Sequence, residues 1–167
     1  MKFLMTSSGH TIIVDNEDYA DISQYHWYIR IRKRYGADIY RRLSRKEGRK
    51  KIVIHRHILG LSTNDPNVDH VNGNRFDNRR SNLRLATQAE NSWNRHICNS
   101  ASGFYGVYPA HKSRKWIATI MKHGRISYLG SFNSKKQAAI RRDTATIALH
   151  QNFGTLNFPE LIYWSAF

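Results

Sequence analysis

Asp69-His70-Val71-Asn72-Gly73-Asn74, continued through Ser81-Asn82-Leu83-Arg84 to Glu90-Asn91-Ser92-Trp93-Asn94-Arg95, decides how the chain is read. An acid and an imidazole stand side by side, followed by a polar loop containing Gly73 and a short apolar strand around Leu83 and Leu85. Thr87 with Glu90 three residues later is a capping box, which starts a helix at Thr87 and sets Asn91 on its first turns. The stretch predicts two short strands and a helix, with Asp69 and His70 at the end of the first strand and Asn91 facing them from the helix.

That arrangement suits metal-assisted phosphodiester cleavage. Asp69 and the side-chain carbonyl of Asn91 are hard oxygen donors of the kind Mg²⁺ or Mn²⁺ prefers, and two protein ligands leave room for water and a phosphate oxygen. His70 alternates with Asp69 on the strand, so it points the other way and can take a proton from an attacking water. An ordinary imidazole pKa near ~6.5 gives a neutral base at physiological pH.

These residues resemble the HNH endonuclease family in its phage and intron-encoded branch. The resemblance is carried by Val68 to Asn74, Asn78, Ser81-Asn82-Leu83-Arg84 and Glu90 to Arg95, with His55-Arg56-His57-Ile58-Leu59 like the lead into that family's core. It implies that His70 is the general base, that Asn82 holds the loop and the His70 ring, and that Asn91 binds the metal together with Asp69. Asn91 stands where the family name expects His, a variation of the branch that bears on metal affinity and choice of ion.

The charge of the chain points to the same substrate. Among 167 residues, 27 Lys and Arg face 12 acids, a net charge of +15. An anionic polymer explains that excess better than a solvated surface does, and double-stranded DNA is the expected partner. No apolar run approaches the ~18 residues of a spanning helix, and Met1 to Met5 is too short for a signal peptide, so no membrane partner is expected. Cys98 is the single cysteine, which leaves no internal disulfide and no Cys-based zinc site. A reducing, cytoplasmic setting is expected, that of the host cell if the gene is carried by a phage.

Upstream, Gly9 to Asp15 reads as a turn into a strand, and Asp18 to Trp27 as a short helix with spaced aromatics. Ile29 to Lys33 is a strand with Arg30, Arg32 and Arg34 at period two on one face, expected to lie against DNA phosphates. Ile39-Tyr40 and Ile52-Val53-Ile54 read as further strands. His55 and His57, taken as i and i+2 on a strand, would share a face and could join His70 on a metal. They lack the closed ligand set of zinc sites, and histidines supporting the core are the better reading.

Downstream of a small, polar linker at 98–103 come three strand candidates, Gly106 to Ala110, Lys115 to Lys122 and Ile126 to Phe132. A helix follows, capped by Asn133 or Ser134, with Ala138, Ala139, Ala145, Ile147, Ala148 and Leu149 on its apolar face. This part resembles the APETALA/ethylene-response-factor DNA-binding domain through Ser102 to Tyr108, Lys115-Trp116-Ile117-Ala118, Tyr128-Leu129-Gly130-Ser131-Phe132, Ala138-Ala139 and Gly154 to Pro159. The resemblance implies a sheet laid in the major groove. By alternation Trp116, Ala118 and Ile120 face the helix. Tyr108, Lys115, Thr119 and Tyr128 are then on the DNA side with Ile117, Met121 and Ile126.

The expected fold is α+β. Residues 1–97 form a basic β-rich lead-in and a ββα-metal (HNH) nuclease core at about 52–97. The linker 98–103, a three-stranded antiparallel sheet packed on one helix at 104–160 and an aromatic tail at 161–167 follow. The expected function is metal-dependent, site-directed cleavage of double-stranded DNA of the homing-endonuclease type. A monomer on an extended, asymmetric site, with one catalytic centre, would nick one strand. A sequence-specific DNA-binding regulator with a degenerate nuclease core, and a non-specific defence or packaging nuclease, are the alternatives.

Overall fold

The computed structural model describes residues 1–32, 36–46, 48–94, 100–122 and 124–160. Arg34, residues 98 and 99 of the expected linker, and the tail 161–167 lie outside the described residues. The chain divides into two compact units, Met1–Asn91 and Ser92–Phe167.

The first unit opens with a hairpin, β1 (Lys2–Met5) and β2 (Thr11–Val14), followed by helix α1 (Asn16–Ile22). Ile12 and Val14 alternate inward on β2 and are fully buried, as a half-exposed strand requires. β3 (Tyr28–Arg32), β4 (Gly36–Arg42) and β5 (Lys51–Val53) make an antiparallel sheet in the order β3-β4-β5. Helix α2 (Ile54–Ile58) leads to the hairpin β6 (Asn67–His70) and β7 (Leu83–Ala86), and α3 (Gln88–Trp93) begins after it. Ile12, Val14, Ile22, Trp27, Ile39 and Val68 contribute to one core under these elements.

Two histidine expectations change with α2. Ile52 and Val53 lie on β5 as their β-branched side chains favour, but the strand ends there and Ile54 opens α2, where Ile54 and Ile58, one turn apart, are both buried. His55 and His57 therefore do not share a face. The His55 ring meets His70 edge-on at 5.3 Å, whereas His57 Nε2 lies 2.7 Å from Asp21 Oδ2 and packs beside Tyr25 and Trp27.

The second unit has β8 (Val107–Pro109), β9 (Trp116–Lys122) and β10 (Arg125–Phe132) in an antiparallel sheet ordered β10-β9-β8. Helix α4 (Lys135–His150) covers one face, with Ser134 as its N-cap accepting from the Gln137 N–H at 3.2 Å. Val107, Ala118, Ala138 and Ala139 form the core, with Trp116, Leu129, Phe132 and Phe158 against it. Small side chains on α4 allow the helix to approach the sheet closely. Gly106 belongs to the same economy of space: its φ is +66°, and a Cβ there would stand 2.4 Å from the Thr119 carbonyl oxygen.

Two features of this unit depart from, or were absent in, the sequence expectations. Ser100 to Gly103 are not a free linker, because Ser102 is buried and its hydroxyl donates to the Val107 carbonyl at 2.8 Å. Asp143, fully buried on α4, accepts from the backbone N–H groups of Asn157 and Phe158 at 2.8 Å each and from Asn157 Nδ2 at 3.0 Å. Asn157 in turn accepts from the Tyr105 N–H at 2.6 Å, so one carboxylate ties the end of the chain to the helix and to the segment before β8.

Candidate active site

The β6–β7 hairpin sets the site. Its register pairs Asp69 with Arg84 and His70 with Leu83, which places Asp69 and His70 on opposite faces at the end of β6. Both are buried, at 5% and 6% exposure. Gly73, with φ +71°, closes the turn after His70 and donates its N–H to the His70 carbonyl at 2.8 Å.

Asn82 holds the intervening loop shut. Its Oδ1 accepts from the Asn72 N–H at 3.0 Å, and its Nδ2 donates to Asn72 Oδ1 at 3.0 Å and to the Asp77 carbonyl at 2.7 Å. Its own carbonyl accepts from Val71 N–H at 2.9 Å. The loop is also fastened to β2: Ile13 donates to the Phe76 carbonyl and accepts from the Asn78 N–H, each at 2.8 Å. Asp77 is clamped by Arg79 through Nε at 2.8 Å and Nη2 at 2.7 Å. Those hydrogen bonds hold its carboxyl below the ordinary range against the opposing effect of burial.

The ring of His70 is held by Asn78, whose Oδ1 lies 3.3 Å from Nε2. Asn78 is fully buried and anchored in turn by Nδ2 donating to the Arg75 carbonyl at 3.0 Å. Burial lowers the His70 pKa; the Asn78 hydrogen bond opposes this and the Arg75 charge adds to it, for a net shift below the ordinary value. His55 is pushed further, to about 3, by burial and by the charge of His70 and Arg75. Both imidazoles are neutral near pH 7, the form that accepts a proton.

Asp69 is not left to itself. Arg84 Nη2 lies 2.6 Å and Nε 2.9 Å from Asp69 Oδ2. Asn91 stands one turn into α3, half-buried, with its N–H bonded to the Thr87 carbonyl at 3.0 Å and its side-chain amide unpartnered among the described residues. The capping box that starts α3 is reciprocal: Thr87 N–H donates to Glu90 Oε2 at 2.7 Å and Glu90 N–H to Thr87 Oγ1 at 3.2 Å. Among the described residues no group of three or more His, Cys, Asp or Glu is placed to hold a metal ion. A metal at this place would rest on mixed oxygen donors, and a carboxylate with a carboxamide is a set suited to a hard divalent cation.

The DNA-contact candidates fall on two surfaces. On the first unit's sheet, Arg30 and Arg32 share one face and both reach Asp38, at 2.8 and 2.6 Å. Arg42 and Lys51 stand opposite one another on that face, over the rings of Tyr28 and Tyr40. Arg75, from the loop between β6 and β7, also approaches Asp38, at 3.8 Å. On the second unit's sheet, Tyr108 pairs with Ile117, Thr119 with Tyr128 and Met121 with Ile126. Tyr108, Met121, Ile126 and Tyr128 are exposed there, on the face opposite α4. Lys115 does not join them: it stands just before β9, exposed, and lines a surface hollow with Gln137, Ile140, Arg141 and Thr144 of α4. Thr119 is half-buried and its hydroxyl donates to the Gly106 carbonyl at 3.3 Å.

Asn78 and Arg84 are the members of the site that residue patterns did not mark with a role. Asn78 acts through a contact across a loop, which has no period to detect. Arg84 alternates outward on an apolar strand and reads as solvated. The signal for Arg84 is register: an acid on one strand and a base directly opposite it on the next.

Comparison with known proteins agrees with this geometry. Residues 52–93, which hold β5 through α3, match the family described as HNH endonuclease. The chain is similar to an uncharacterized HNH endonuclease of Acanthamoeba polyphaga mimivirus, 26% identical over 136 residues, covering 78% of this chain and 66% of that protein. It is also similar to protein 3.8 of Escherichia phage T7, 36% identical over 59 residues, covering 35% of this chain and 49% of that protein. The chain thus spans between about half and two thirds of the length of these relatives. The match takes in the loop-bearing hairpin β6–β7 and the helix after it, the elements that carry Asp69, His70, Asn82 and Asn91.

Proposed function

We propose that the chain is a metal-dependent endonuclease that cuts double-stranded DNA at a directed site, in the manner of a homing endonuclease. The observation that carries the reading is a buried carboxylate and a buried, neutral imidazole in adjacent positions on one hairpin, with the loop between its strands locked by Asn82.

His70 takes a proton from water onto its ring nitrogen, and the hydroxide formed attacks phosphorus. The bridging oxygen departs with its electron pair and is protonated from solvent. Asn78 and Asn82 keep the ring and the loop in place through these steps. Asp69 and Asn91 are the residues that would hold a divalent cation, Mg²⁺ or Mn²⁺. Such an ion supplies charge neutralisation on the phosphate and on the departing oxygen.

DNA is gripped in the first unit by the basic sheet face of Arg30, Arg32, Arg42 and Lys51, which contributes sequence-independent affinity. The second unit's sheet reads the target, docking in the major groove as in APETALA/ethylene-response-factor domains. Its three-stranded form and its exposed face of Tyr108, Met121, Ile126 and Tyr128 support that reading. One centre per chain gives a monomer that nicks one strand of an extended, asymmetric site, in the cytoplasm of an infected host. Among the described residues no helix is long and apolar enough to cross a membrane.

Incubating the chain with a library of long duplexes in Mg²⁺ and sequencing the ends tests the reading. Recurrent ends that vanish with a chelator are expected. Asp69→Ala and Asn91→Ala should shift the metal requirement to higher concentration. A second reading, a DNA-binding regulator with a silent core, is favoured by the grip of Arg84 on Asp69. Duplex retained at one sequence but never cut would establish it.

A further inference from the structure

Asp69 and Arg84 are directly opposed in the β6–β7 register, so their pairing is built into the hairpin. Their side chains are mostly buried, at 6% and 18% exposure, where a charge left alone is costly. Nε and Nη2 both donate to the same oxygen, Oδ2, at 2.9 and 2.6 Å. A carboxylate oxygen offers about two lone-pair directions, so these two donors fill Oδ2.

We infer that Arg84 is a positioning residue that competes with the divalent cation: it holds Asp69 oriented while no metal is bound, and metal binding displaces it from Oδ2. The inference rests on the reading of Asp69 as a metal ligand. A guanidinium and a dication cannot occupy the same lone pairs, and at a few ångströms inside a hairpin they repel. Arg84 therefore lowers metal affinity and keeps the site intact without metal, which makes the carboxylate available only when the cation concentration is sufficient. Arg cannot lose its charge at working pH, so displacement is by exchange of partners.

The test is Mn²⁺ binding to the full chain, followed by calorimetry or by the relaxation of solvent protons, with thermal unfolding measured with and without Mn²⁺. Arg84→Gln should bind Mn²⁺ more tightly, on the order of tenfold, because a charge-assisted competitor is gone. Without metal it should melt below the parent, and Mn²⁺ should raise its melting temperature by more than it raises the parent's. Arg84→Lys, which keeps the charge but not the fork, should fall between the two and serves if the Gln variant does not fold. Asp69→Asn should lose the binding. If Asp69→Asn loses Mn²⁺ while the Arg84 variants bind it no tighter than the parent, the metal instead uses the other oxygen and the competition is refuted. If Asp69→Asn binds Mn²⁺ as the parent does, the ligand reading fails and this inference fails with it.

Discussion

Asn78 Oδ1 lies 3.3 Å from His70 Nε2, and the Asn78 backbone N–H is itself bonded to Ile13 on the first hairpin. The orientation of the imidazole is thus traced to β2, more than fifty residues upstream.

Replacing Asn78 separates orientation from basicity. Asn78→Ala removes a buried partner and should cost ~1–3 kcal/mol of stability, with a fall in kcat that exceeds any change in KM. Asn78→Asp places a carboxylate beside the ring, favours the protonated imidazole and should move the acid limb of the pH–rate profile upward. A profile that stays in place in Asn78→Asp would show that the Asn78 contact does not report on the catalytic base.

The two lowered imidazoles fix the sign of the pH dependence. A base with a pKa below its ordinary value remains neutral to lower pH, so activity should persist below ~6.5 before the acid limb begins. Stability runs the same way. Between the unfolded value of ~6.5 and the folded value, the unfolded chain binds more protons, so stability is complete above ~6.5 and falls with acidification, by up to ~1.4 kcal/mol per pH unit for each histidine. For His55 the window extends down to about 3. His55→Gln should flatten the acid side of a melting-temperature profile, and an unchanged slope would contradict the assignment.

Much of the fold was legible because local chemistry and tertiary structure agree. Thr87 and Glu90 make the capping box their spacing predicts, Ser134 caps α4, and Ala118 and Ile120 alternate inward as β9 requires. Legibility failed where a distant partner decides. The strand of Ile52 and Val53 gives way to a helix at Ile54, with Ile54 and Ile58 buried one turn apart, and that need lies in the core they meet. Asp38, the acid beneath Arg30 and Arg32, reads as a turn or surface residue until the β3–β4 register sets it opposite Arg30. The roles of Asn78, Arg84 and Asp143 likewise come from pairings, which composition and period do not encode.

Asp143 should matter to the second unit alone. Asp143→Ala leaves the N–H groups of Asn157 and Phe158 without their buried acceptor, at ~1–3 kcal/mol for each. Loss of cooperative melting in that unit, followed by fluorescence of Trp116, is the expected result. A variant as stable as the parent would show that the C-terminal segment is held by Phe158 packing instead.

Readout by the second sheet predicts a division of effects. Tyr128→Ala and Thr119→Ala should reduce preference for one site, by ~1–3 kcal/mol for each base edge that is no longer read, while cutting continues elsewhere. Arg30→Ala and Arg32→Ala should weaken binding on all sequences alike and reduce its salt dependence. Cut positions mapped on one long duplex distinguish the two classes. Equal loss of preference in both would place sequence reading in the first unit.

The most direct test of His70 as the general base is single-turnover cleavage of a duplex carrying the target, in Mg²⁺, by the parent chain and by His70→Ala. Cleavage by the variant should be slower by ~10²–10⁴-fold with duplex binding nearly unchanged, since it lacks a general base but keeps every phosphate contact. Cleavage by His70→Ala at the parent's rate would contradict that role.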